Sequence, residues 1–462
     1  MPESPELVQG LGLAGAVSVV AGTMIGTAIF VVPSMMLAHV GTPAKVVLVW
    51  AFAGVLSLFG ALGYAELGGA LPEAGGEYVY LREAYGSGLG FLYGWTQFVV
   101  AKAASIAAIA TGFLLYLAYF FPGLAPVIWQ TTLAAGGYNL TVKLTGLQVG
   151  STLMILLLSG LNVLGVRRSG AVQTVFTAAK LAVLGVLIAF GLAFGHGSFQ
   201  HFRSTAPGAG GGTTLASGFL LATVSALWAY DGWNNLSMVA GEVRRPQRNL
   251  PLALIIGSLL VLGVYLLANL AYFYTLTPDQ AVATNTIAAT AARHFWGGAG
   301  GTFVAVGVLI STFATLNGSI LSGSRIPYAL ARDRLFPQGL ARVHPRFRTP
   351  ALAITAQAAL AGIFALTGAY ETLYTKAIYS EWIFYALVTA GIFVLRRRRP
   401  DLPRPYRTWG YPVVPLVFVA LALLLLGDTL LERPADALWC LALVASGIPA
   451  YLVSKAVARK QG

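Results

Sequence analysis

Long apolar runs separated by short polar punctuation dominate the chain. Spanning a bilayer as a helix takes about 20 apolar residues. Cutting the sequence at its charged and Pro/Gly clusters gives about twelve such segments, near 11–38, 43–70, 86–120, 146–165, 170–195, 215–242, 250–276, 298–331, 351–369, 372–395, 412–430 and 436–457. The eighth is too long for one simple span and is expected to continue as a polar helix through Arg332 and Arg334. Two segments are interrupted. The first carries GTMIGTA at 22–28, and the sixth carries YDGWNN at 230–235, a polar stretch inside apolar sequence. A Gly22 to Gly26 spacing alone also describes a helix contact face. Asp231, Asn234 and Asn235 together cannot face lipid, where unpaired polar groups cost several kcal/mol. Interruptions at corresponding places, first and sixth, are a sequence pointer to a binding site between two repeats.

Composition agrees with a membrane protein. Of 462 residues 57% are hydrophobic and 10% charged, against roughly 25% charged in soluble domains. Glycine, 54 residues, lets membrane helices approach closely. The +13 charge does not gather on a polar surface as nucleic-acid binding requires; it falls between the apolar runs. With the N-terminus in the cytoplasm, 21 of the 29 Lys/Arg lie on that side, including Arg82, Arg325 and Arg396–Arg399. Six lie opposite (Lys45, Lys143, Arg203, Arg293, Lys376, Arg433), and Lys102 and Lys180 lie within spans. The positive-inside rule then places both termini in the cytoplasm. The first residues lack the basic region and cleavage site of a signal peptide, so the first span is expected to be retained.

Candidate chemistry narrows the function. Cys440 is the sole cysteine, the five histidines are scattered, and no His-x-x-x-His pair occurs, so neither a metal site nor a cofactor is expected. No nucleophile elbow or catalytic constellation is visible, which argues against an enzyme. No filter motif supports a channel.

Five motifs in order resemble the amino acid, polyamine and organocation transporter superfamily, and within it the L-type amino acid transporter family: GTMIGTAIF at 22–30, FTAAKL at 176–181, AYDGWNNL at 229–236 running on to EVRRPQRNLP at 242–251, STFATLNGS at 311–319 and RPDLPRP at 399–405. The resemblance implies an all-α integral membrane protein with the leucine-transporter fold. Its segments would be a cytoplasmic N-terminus (1–10), a first inverted five-helix repeat (11–195), a second (215–395), two appended helices (412–457) and a cytoplasmic C-terminus (458–462). It implies sodium-independent exchange of small neutral L-amino acids by alternating access, in the cytoplasmic membrane of a bacterium. The alternative within the same fold is a proton-coupled symporter of cationic or broad amino acids or polyamines.

The expected substrate site is Thr23, Met24, Ile25, Gly26, Thr27 and Ala28 in the first break, with Trp228, Ala229, Tyr230, Asp231, Gly232 and Asn234 in the sixth span. Freed N–H groups at the start of a half-helix suit a carboxylate, and freed carbonyls at the end of another suit an ammonium. The family commonly has Gly-Ser-Gly where this chain has Gly26-Thr27-Ala28, so the cradle is narrower and a smaller substrate is expected. Lys180 matches the family lysine that takes the position of a sodium ion, and is expected to tie Gly22 to a hydroxyl of the eighth span, Ser311 first and Thr315 second. Trp228 is expected as an aromatic lid or a core aromatic. Lys102 and Asp231 are read as polar pairs within the bundle, with Asp231 alternatively coordinating the substrate side or holding the unwound backbone. Glu242 and Arg244 are read as an inner gate or a solvated face, and Glu66, Glu73, Glu77 and Glu381 only as gate or interface positions. Animal members carry a cysteine in the loop after helix 3 that links a glycoprotein partner; 121–145 contains none, so no such partner is expected.

Overall fold

The computed structural model describes residues 6–135, 138–207, 215–368, 370–432 and 434–461, with side chains throughout except at 133–135, 138–142, 215–216, 370–379, 429, 432 and 459–461. Of the Lys and Arg used above for orientation, Arg433 lies outside the described residues, as do residues 1–5 and 462 of the expected terminal segments.

The first expected span is two helices, α1 (Leu13–Met24) and α2 (Ala28–Val40), bent by 42° at a three-residue break. There follow α3 (Pro43–Ala70), the short α4 (Glu77–Tyr85), α5 (Ser87–Thr96), a π-helical turn at Gln97–Ala101 and α6 (Lys102–Leu117). A hairpin, β1 (Val127–Ala135) with β2 (Tyr138–Thr145), precedes α7 (Gly146–Val163) and α8 (Val166–Phe194). The sixth span is α9 (Leu215–Tyr230), a break, and the single turn α10 (Asn235–Met238). Next come α11 (Pro246–Thr275), α12 (Pro278–Val282), α13 (Ile287–Trp296), α14 (Gly298–Gly323) and α15 (Arg325–Arg332). The chain ends with α16 (Ala351–Thr367), α17 (Tyr370–Arg398), α18 (Val413–Glu432), α19 (Pro434–Ala445) and α20 (Gly447–Gln461).

Among the described residues seven helical runs are long and apolar enough to cross a bilayer, and the bent α1–α2 pair makes an eighth. α16 and the stretch Val413–Asp428 of α18 are apolar but shorter. The broken α9 halts after 16 residues. Leu153, Leu156, Leu157, Val175, Leu423 and Leu452 stand at least half exposed on the outer helices. Such an apolar outer surface suits lipid.

The centre of the bundle is α1, which packs against α8, α11 and α14. α3 runs along α11, α9 lies against α2 and α3, and α6 against α14. Two local readings need correction. The eighth span continues as a polar helix, α15, but only to Arg332: Arg334 lies beyond its end and adopts a left-handed φ of 59°. Glu242 is not on a solvated face. It is fully buried and takes a two-point ion pair from the equally buried Arg325 at 2.7 and 2.9 Å. Arg325 therefore belongs to the packed interior, while Arg244 is exposed. The hairpin between α6 and α7 had no counterpart in the reading of the sequence.

Candidate functional site

α1 ends because Ile25 leaves helical backbone, with ψ at 92°, and the helix resumes only at Ala28. α9 ends at Tyr230, two residues before Gly232, whose φ of +112° favours glycine. A Cβ there would also lie 3.0–3.2 Å from the backbone of Thr23 and Met24. Gly232 is thus what lets the two breaks touch. The Thr23 hydroxyl lies 2.8 Å from the Gly232 carbonyl, and the Tyr265 hydroxyl sits 2.9 Å from the Met24 carbonyl and 3.0 Å from that of Ala229. The breaks are joined by side chains as well as by backbone contact.

Behind the first break lies Lys180, buried in the middle of α8. Its ammonium donates to the carbonyls of Gly22 at 2.8 Å and Ile25 at 2.6 Å and reaches the Thr315 hydroxyl at 3.3 Å. Thr315 also lies 3.1 Å from both carbonyls. The hydroxyl at the ammonium is therefore Thr315's, and Ser311 instead donates to the Ile25 carbonyl at 2.8 Å. Carbonyls that lost their helical partners at the break recover donors from a cation and two hydroxyls.

In front of the breaks lies a cavity of about 140 Å³. Of the expected residues, Thr23, Met24, Gly26, Thr27, Ala28, Trp228, Ala229, Asp231, Gly232 and Thr315 line it. The N–H groups of Gly26 and Thr27 take no backbone partner among the described residues, and a Cβ built on Gly26 meets nothing within 4 Å. Trp228 is 37% exposed, at the cavity wall and not in the packed core. Ile25, Tyr230 and Asn234 stand back from it. Ile25 is buried with its carbonyl toward Lys180, the Tyr230 hydroxyl donates to the Trp50 carbonyl at 3.1 Å, and Asn234 donates to Glu77 at 3.0 Å. Gly22, Lys180 and Ser311 likewise lie behind the lining.

Other lining residues were not read as site residues. α6 presents Ser105, Ala108, Ile109 and Gly112 to the cavity, an i, i+3, i+4, i+7 stripe that helical periodicity makes visible once α6 is known to face inward. Lys102, Asn235, Thr312, Ser319 and Glu381 complete the wall. Lys102 donates to Asn235 at 2.8 Å and Tyr385 donates to Asp231 at 2.6 Å. Farther in, Glu77 is fully buried and accepts hydrogen bonds from Tyr64, Tyr93 and Asn234. It lies outside the long apolar runs, next to Gly75 and Gly76, so nothing marked it as an interior group. Among the described residues no cluster of three His, Cys, Asp or Glu is arranged to hold a metal ion.

The arrangement can hold a small molecule that needs hydrogen-bond donors at one end and acceptors at the other. A family profile described as amino acid permease matches residues 11–435. The chain belongs to the amino acid permease family. Within that family it is 33% identical over 452 residues to the serine/threonine exchanger SteT of Bacillus subtilis, covering 97% of each chain. It is 34% identical to the human b(0,+)-type amino acid transporter 1, covering 98% of this chain and 89% of the relative. To the mouse Asc-type amino acid transporter 1 it is 30% identical, covering 98% and 82%. A permease of this family is a membrane transporter and not an enzyme, as the L-type resemblance of the five motifs implies.

Proposed function

We propose that this permease exchanges small neutral L-amino acids across the bilayer, independently of sodium, with the zwitterion held between the two breaks. The observation that carries the reading is the cavity bounded on one side by unpaired N–H groups at the start of α2 and on the other by the end of α9. A helix start favours a carboxylate and a helix end an ammonium. Lys180 supports sodium independence, because its ammonium already donates to the carbonyls of the break that an ion would coordinate. At about 140 Å³ the cavity is below the roughly 300–1,000 Å³ typical of drug-sized ligands, which favours a small substrate. The name of the relative SteT, a serine/threonine exchanger, points the same way.

In this reading the chain has twelve spans, with helices one to five and six to ten as inverted repeats rocking about the site. The eight long runs, α9, α16, α17 and α18 supply them. Both termini lie in the cytoplasm by the distribution of Lys and Arg, the membrane is a bacterial cytoplasmic one, and no disulfide-linked glycoprotein is needed. Counterflow in liposomes tests the reading. Labelled serine should enter only vesicles preloaded with unlabelled amino acid, at the same rate in sodium and in choline. Entry into unloaded vesicles, or a strong sodium requirement, overturns it.

A further inference from the structure

One flank of the cavity holds more acid than base. Lys102, Asp231 and Glu381 line it, and Glu77 lies within electrostatic reach of Glu381. Lys102, Glu77 and Glu381 are more than nine-tenths buried. Among the described residues no Lys, Arg or His lies within ion-pair distance of any of the three carboxylates, and the ion pairs those residues do make lie elsewhere. Buried charges without a counter-ion are costly and are resolved by a cation or a proton.

The hydrogen bonds show which carboxylate is left over. Glu77 has three donors, from Tyr64, Tyr93 and Asn234, more than either of the other two carboxylates. Asp231 takes a 2.6 Å bond from the Tyr385 phenol, and Lys102 offsets one negative charge nearby. Glu381 has the weakest support: no hydrogen bond reaches its carboxyl among the described residues, and the polar group beside it is the neutral side-chain amide of Gln97. Gln97 is itself 1% exposed, and its Oε1 has no hydrogen-bond partner among the described residues. A carboxylate cannot donate to that oxygen, whereas a carboxylic acid can. A protonated Glu381 and the Gln97 amide would close a two-bond ring, O–H to amide oxygen and amide N–H to acid carbonyl. Both groups are then satisfied. Gln97 opens the π-helical turn Gln97–Ala101, a local irregularity found mostly at functional sites, and Lys102 follows it directly.

From this juxtaposition we infer that Glu381 is a proton site, and that a proton is bound at its carboxyl together with a neutral amino acid. The inference rests on the cavity being the amino acid site. A zwitterion filling the cavity expels water and brings no net charge, so the unbalanced carboxylate takes a proton from hydronium on the entry side and leaves water behind. When the cavity opens and water returns, the proton leaves by the reverse transfer. The charged and polar groups near Glu381 are Asp231 in the second break, Lys102 on α6, Gln97 on the π turn, Glu77 on α4, Tyr93 on α5 and Tyr385 on its own helix.

Proton linkage measured on the purified protein tests this. In calorimetry of serine binding, the apparent enthalpy of the wild type should change with the ionisation enthalpy of the buffer, corresponding to uptake of up to one proton. Serine affinity should therefore fall as pH rises, by up to about tenfold per pH unit. The isosteric Glu381→Gln variant, whatever its affinity, should show neither dependence. The inference is overturned if the wild type takes up no proton, or if Glu381→Gln keeps the same linkage. It is overturned equally if lysine binds tightly and serine binds without proton uptake, which would make Glu381 a counter-ion for a substrate side chain. Should serine not bind at all, the amino acid reading fails on its own account. The proton site is then read without substrate: acidification should raise a protonated-carboxyl stretch in infrared difference spectra of the wild type that Glu381→Gln lacks, and its absence overturns the inference.

Discussion

Two glycines in one motif have opposite surroundings. A Cβ on Gly26 enters open cavity, whereas one on Gly22 runs into the amide of Gln173 and the hydroxyl of Thr177. Gly26→Val should therefore fold with near wild-type thermal stability and lose serine binding by more than about tenfold, or 1.4 kcal/mol. Gly22→Ala should lower stability itself. Thermal unfolding with and without serine separates the two. Lys180→Ala should insert and fold, since it removes a buried charge that is costly in a membrane, yet lose most exchange because the Gly22 and Ile25 carbonyls lose a donor. Thr315→Val should follow it more closely than Ser311→Ala, because Thr315 is the hydroxyl at the ammonium. Counterflow rates of the three variants, normalised to monodisperse protein, check the order. Lys180 was legible in the sequence because a charge stands out in an apolar helix. Its hydroxyl partner was not, because Ser311 and Thr315 are one turn apart on the same face and only the seating of α14 decides between them.

Element boundaries show the same division. Both breaks could be read from polar and glycine residues inside apolar runs, and the structure ends α1 and α9 at those places. The end of the eighth span could not, because Arg325 and Arg332 look alike as sequence although one is fully buried and the other exposed. What separates them is Glu242, 83 residues away, which fixes Arg325 at the junction of α14 and α15. This pair ties the far end of the broken sixth span to the eighth. Removing one partner leaves an unpaired buried charge, so Glu242→Ala or Arg325→Ala should cost about 3–5 kcal/mol of stability. Replacing both, as in Glu242→Leu with Arg325→Met, should recover most of that loss. Chemical or thermal unfolding in detergent measures both effects.

At the scale of the molecule, apolar runs exposed the membrane architecture because hydropathy is a property of long segments. The hairpin at 127–145 left no such signal, being short and outside the spans. The inward stripe of α6 became readable only once its neighbours were known. The narrow cavity between the breaks has a consequence for selection: alanine, serine, threonine and glycine should compete with labelled serine better than tryptophan does. A panel of unlabelled competitors checks this, and a clear preference for large aromatic substrates would show that Thr27 and Ala28 do not set the size limit.

The segment before α1 adds a last point about timing. Leu11 pairs with Val243 as an isolated bridge: its N–H donates to the Glu242 carbonyl at 3.0 Å, and its carbonyl accepts from Arg244 at 2.8 Å. Two backbone bonds and one from the Arg244 guanidinium to the Gln9 carbonyl at 3.2 Å hold this stretch to the end of the sixth span, fewer than hold the helices on either side of it, so it should open before they do. The amides of Leu11 and Arg244 should therefore exchange with deuterated solvent faster than those inside α1 and α11, and equal protection would show that this face does not part on its own.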